Sequence, residues 1–107
     1  MKLNNSNVDK INNWLVTRFK NEIIVDEVYF IGSILTKEYN QINDVDIVQL
    51  IDYREITELK NHLRVIREIQ QEFKLEFGKY LHITSFTNKE IIDFIEFMST
   101  KKTLKIK

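Results

Sequence analysis

Gly32-Ser33 and Asp44-Val45-Asp46, separated by ten residues, are the part of this chain whose residue types and spacing suit chemistry. Side chains alternate across a β-strand, so on a strand Asp44 and Asp46 share one face while Val45 and Ile47 take the other. Their Cα atoms then lie ~6.6–7 Å apart, close enough for both carboxylates to converge on one cation. Two-metal phosphoryl-transfer sites hold their ions ~3.5–4 Å apart, which paired carboxylates can bridge. Magnesium suits such a pair because it takes oxygen ligands, keeps waters and is completed by substrate phosphates. Gly32, without a Cβ, lets a phosphate approach the backbone. Amides at the start of a following helix, and the Ser33 hydroxyl, can donate to it. Together the two halves have the makings of a seat for a magnesium–nucleoside triphosphate complex.

Periodicity and capping signals show which elements must position these residues. Val8, Ile11, Leu15 and Phe19, with Trp14 beside them, predict a helix over residues 8–21 capped by Ser6 or Asn7. Val28-Tyr29-Phe30-Ile31 predicts a strand from Glu27 to Ile31, ended by Gly32. A short helix is expected from Ser33 to about Tyr39, then a turn, then a strand from Asp44 to Ile51. Asp52 and Glu55 signal the start of the longest helix, on which Ile56, Leu59, Leu63, Ile66, Ile69 and Phe73 recur at helical spacing; Gly78 stops it. Tyr80 to Phe86 reads as a third strand. Thr87 and Glu90 cap a last helix bearing Ile91, Ile92, Ile95 and Met98. Residues 101–107 read as a lysine-protected edge strand or a basic tail. The order α-β-α-β-α-β-α predicts one α/β (α+β) domain over residues 1–107, a small mixed sheet of three to four strands packed with helices. If Leu81 and Ile83 face the core, His82 is the third-strand residue that faces Asp44 and Asp46.

The stretch Phe30-Ile31-Gly32-Ser33, ten residues, Asp44-Val45-Asp46-Ile47-Val48 resembles the signature of the DNA polymerase beta-like nucleotidyltransferase superfamily. The short chain is similar to its minimal nucleotidyltransferase branch. The resemblance implies magnesium-dependent transfer of a nucleoside monophosphate from a triphosphate, expected to be ATP, to a hydroxyl acceptor on a protein or RNA. It implies that Gly32 and Ser33 bind the triphosphate and that Asp44 and Asp46 are the catalytic metal ligands. Some minimal members are antitoxins that modify a ribonuclease toxin of the HEPN type, so a toxin-like partner is expected by the same resemblance. Active members usually carry a third carboxylate on the next strand. Here Lys79-Tyr80-Leu81-His82-Ile83-Thr84-Ser85-Phe86 has none, and His82 is the residue left to serve as base or substitute ligand. Glu76 lies before Gly78 and would have to reach back around the turn. The departure implies a weakened transferase, a metal-shifted one, or alternatively an inactive binding protein of that fold, such as an antitoxin or regulatory partner.

Composition narrows the field further. At 107 residues the chain can bury about two-thirds of its extended surface, enough for a fold without staples. Sixteen basic residues balance sixteen acidic ones, so a general polyanion-binding surface is not indicated. The absence of cysteine excludes disulfides, thiolate nucleophiles and thiolate metal sites. The polar start Met1-Lys2-Leu3-Asn4-Asn5-Ser6-Asn7 and the lack of a long apolar run predict a cytoplasmic protein without a membrane anchor. With no second lobe in view, the acceptor site calls for a partner chain or a homo-oligomer. His62, set among Asn61, Leu63 and Arg64, reads as a solvated surface residue, Lys37 as an exposed lysine within reach of a phosphate, and Phe73, Phe77, Phe86, Phe94 and Phe97 as core.

Overall fold

The computed structural model describes residues 6–107, and the residues before Ser6 lie outside it. Chain order is α1 (Ser6–Phe19), β1 (Val25–Ile31), two single 3-10 turns (Gly32–Leu35 and Tyr39–Gln41), β2 (Asp44–Ile51), α2 (Ile56–Phe77), β3 (Tyr80–Thr87), α3 (Ile91–Ser99) and β4 (Thr103–Lys105). The strands form one mixed sheet in the order β3-β2-β1-β4. β1 pairs antiparallel with both β2 and β4, whereas β2 and β3 run parallel, joined by the α2 crossover. Among the described residues the architecture is thus a small mixed α/β fold of four strands and three helices. None of the described helices is long and apolar enough to cross a membrane.

The two sheet faces are buried differently. On one, Val28, Phe30, Val45, Ile47 and Leu81 pack with Val8, Ile11, Leu15 and Phe19 of α1 and with Ile66, Ile69 and Phe73 of α2. Trp14 closes this core edge-on to Phe73 and Phe77, with ring centroids 5.6 and 5.8 Å away. On the other face Ile31, Val48 and Leu50 meet Phe94 of α3, flanked by Tyr29, Phe86, Phe97 and Met98. α3 therefore turns Phe94, Phe97 and Met98 inward and leaves Ile92 and Ile95 exposed. The five phenylalanines expected to be core all pack into one of these two clusters, Phe73 and Phe77 on the first face and Phe86, Phe94 and Phe97 on the second.

Several boundaries differ from expectation for identifiable reasons. Ser6 and Asn7 are already helical rather than caps. The helix expected over residues 33–39 is replaced by the two 3-10 turns, so the described residues form three α-helices, not four. The adjacent pair Ile34-Leu35 is buried in the core, and one tight turn suffices to deliver it. α2 starts three residues later than the Asp52–Glu55 signal because Asp52 N–H still donates to Ile24 O across the sheet. Glu58 then takes the capping role: its carboxylate accepts from the Arg54 and Glu55 N–H groups, both at 2.8 Å. Gly78 ends α2 as expected, at φ +70 in the left-handed region. Residues 103–105 of the tail form the edge strand β4.

His62 is the largest correction, being 3% exposed rather than solvated. Its Nδ1 lies 3.0 Å from Glu22 Oε1 and its Nε2 2.9 Å from Gln49 Oε1. Gln49, fully buried on β2, passes the chain on by donating from Nε2 to Ser85 Oγ at 2.9 Å. A buried polar residue is tolerable only when its partners are kept. Replacing Gln49 by Leu should therefore cost about 1–3 kcal/mol beyond any packing change, because His62 Nε2 loses its partner. The double variant Gln49→Leu/His62→Leu should cost less than the sum of the single changes, which urea denaturation of all four proteins would measure.

Candidate functional site

The site lies where β1 ends and β2 and β3 begin, on the face that α3 covers only in part. Val45 and Ile47 of β2 are fully buried against α1 and α2, which turns Asp44 and Asp46 to the opposite face. Farther along β2, Val48 and Leu50 share that face beneath α3. The acids thus stand on its uncovered half, with side chains 45% and 37% exposed. Two carboxylates at this spacing repel by less than about 1 kcal/mol in water, so the pair can stand exposed without a counter-ion.

Sheet register brings the other residues to it. In the antiparallel ladder Ile31 is opposite Asp46, so Gly32 emerges beside that carboxylate. Gly32 has φ +77, and a Cβ built on it would sit 3.0 Å from Asp46 Oδ2. The left-handed backbone is what calls for glycine here, and a Cβ would in addition push the exposed Asp46 carboxylate aside by a few tenths of an ångström. Ser33 follows, half-buried, and its carbonyl accepts from the Thr36 and Lys37 N–H groups at 3.0 and 2.8 Å. A single 3-10 turn carries little macrodipole, so this turn offers no helix-end field to an anion. Lys37, on the exposed link after that turn, is not drawn into any ion pair among the described residues.

In the parallel ladder His82 is opposite Asp46, and Tyr80 opposite Asp44. Leu81 is buried and Ile83 partly so on the helical side, which puts His82 on the acids' face. Its Nδ1 is 3.5 Å from Asp46 Oδ1 and its Nε2 3.8 Å from Asp44 Oδ1, with the side chain 60% exposed. These are long, solvent-screened contacts, worth little to stability, which set the ring beside both acids without fixing it there. Glu76 is not part of this group: it lines a groove with Lys10, Trp14 and Phe77 on the α1 side of the molecule. Lys79, which the sequence reading passed over, sits close by in the chain. Its Nζ donates to Ile42 O at 2.5 Å and lies 4.3 Å over the Tyr39 ring, fixing the loop that delivers Asp44. The signal was a lysine immediately after a helix-ending glycine.

Among the described residues no three His, Asp or Glu side chains are grouped so as to hold a metal ion by themselves. Two exposed carboxylates completed by substrate phosphates are nevertheless a donor set that magnesium accepts, so Asp44 and Asp46 fit that ion. No family model matches the chain, and no curated protein or solved structure matches it either. Gly32→Ala should cost about 1–2 kcal/mol in urea denaturation through the positive φ alone. It should also turn the Asp46 carboxylate away, which a crystal structure of the variant would show.

Proposed function

We propose that this face is a nucleotidyltransferase-type site, taking a nucleoside triphosphate, expected to be ATP, with magnesium and passing its nucleoside monophosphate to a hydroxyl acceptor. The supporting observation is the seat of Gly32 on the Asp46 carboxylate, which makes the phosphate-approach turn and the acid pair one place. Asp44 and Asp46 would hold the magnesium, which when bound neutralises phosphate charge. Gly32 and Ser33 would keep the triphosphate tail against the backbone. The acceptor oxygen forms the new bond to the α-phosphorus as the bond to the bridging oxygen breaks, and pyrophosphate leaves with that electron pair. His82, beside both acids, would take the hydroxyl proton. The acceptor hydroxyl would belong to RNA or to a protein such as a toxin-like ribonuclease.

A second reading has its own support: β3 presents His82, not a carboxylate, opposite Asp46, which favours a protein that binds the nucleotide without transferring it. Thermal unfolding with ATP and magnesium, beside a transfer assay with ATP labelled at the α-phosphate, separates the two. Saturating ATP at about one hundred times its Kd should add about 2.7 kcal/mol, a rise of roughly 10–20 °C for a domain this size. Asp46→Asn should abolish that rise and any label passed to RNA or to protein. A rise without transfer supports the binding protein, and no magnesium-dependent rise overturns both.

A further inference from the structure

β3 is the edge of the sheet on the side away from β4, and its outward main-chain groups can be assigned. The N–H and C=O of a strand residue leave on one side and alternate from residue to residue. Tyr80 N–H donates inward to Asn43 O at 3.0 Å, so Leu81, Ile83, Ser85 and Thr87 face outward. Two side chains close the ends of this row: Gln70 Nε2 donates to Leu81 O at 2.9 Å, and Thr87 N–H donates to Glu90 Oε1 at 3.1 Å. The middle, at Ile83 and Ser85, is engaged by no main-chain hydrogen bond from outside among the described residues. From Lys79 to Thr87 the strand carries no proline, glycine or acid to blunt it.

The helix beside this edge is sorted by charge. Arg67 and Lys74 lie three residues before and four after Gln70, hence on its side of α2, with Lys60 one heptad before Arg67. Lys74 Nζ stands 4.2 Å over the Tyr80 ring, beside a groove of about 510 Å³ lined by Gln70, Gln71, Lys74, Leu75 and Tyr80. The acids Glu68, Glu72 and Glu76 fall on the α1 side, where Glu72 pairs with Arg18 at 2.8 Å. The free backbone row therefore runs beside a cationic wall.

We propose that this strip docks an extended acidic peptide segment, which pairs with β3 as an added strand and sets acids at alternate positions against Arg67 and Lys74. Main-chain bonds at Ile83 and Ser85 supply affinity and the alternation supplies selectivity. A second copy is disfavoured: pairing β3 with β3 about a two-fold axis would bring two cationic α2 walls together.

The test uses the isotope-labelled full chain and acetylated eight-residue peptides of alternating Glu and Val, of alternating Lys and Val, and of Glu and Val with alternate backbone N-methylation. The Glu peptide should bind saturably and shift the Ile83 and Ser85 amides, and the Lys peptide should not bind. N-methylation on the pairing edge should abolish binding, and Arg67→Glu/Lys74→Glu should weaken it about tenfold, both sites being exposed. Equal binding of the Glu and Lys peptides, retention after N-methylation, or shifts away from β3 overturns the proposal. So does self-association through β3, or an RNA oligonucleotide that occupies the strip while the Glu peptide does not.

Discussion

The arrangement depends on one register. Because Ile31 pairs with Asp46 in the antiparallel ladder, the chain must turn at the residue lying against the Asp46 carboxylate. A slip of one residue would send Asp44 and Asp46 into the α1–α2 core and bring Val45 and Ile47 out. Burying two unpaired carboxylates would cost far more than any gain elsewhere, so the core that seals one face also fixes the acids on the other. Packing and candidate chemistry are thus two consequences of one alternation along β2.

The polar line through the core reinforces that register. Gln49 lies three residues beyond Asp46, on the buried face, and its contacts with His62 and Ser85 tie β2 to α2 and to β3. A slipped ladder would leave buried hydrogen-bonding groups without partners, whereas an aliphatic core tolerates small shifts. His62 is therefore better described as a register pin than as a surface histidine. Glu22, still 20% exposed, brings that line to solvent at the end of α1.

What was legible in the sequence followed from strict local rules. β2 was readable to the residue, since Asp-Val-Asp before a β-branched run leaves only one face for the acids. The His82 facing came from the same alternation on β3. The α2 face was misread because Ile56 and Leu63 fit a helical period yet are 55% and 43% exposed. The buried stripe is His62, Ile66, Ile69 and Phe73, at spacings of four, three and four, and a histidine heading it hides the pattern from a hydrophobicity count. Ser33 to Tyr39 failed as a helix because tertiary burial of Ile34 and Leu35 overrode weak local propensity. The sorting of the aromatics between two faces depends on the sheet order, which no local pattern encodes.

The sheet order also bears on how the proposed nucleotide could be held at this end of the molecule. In many open α/β sheets a phosphate sits at a helix N-terminus beyond the carboxyl ends of parallel strands. Here β2 and β3 begin at the site, so the crossover helix starts at the far end and finishes near it, with Gly78 two residues before Tyr80. A helix C-terminus carries partial negative charge, which disfavours phosphate and adds to the field of Asp44 and Asp46. Lys74, donating to Gly78 O at 3.1 Å, and Lys79, bound to Ile42 O, offset part of that field. Backbone dipoles cannot hold a triphosphate at such an end. In the proposed function a cation on the two aspartates would supply the attraction, which is why that proposal rests on the acid pair and not on the turn alone.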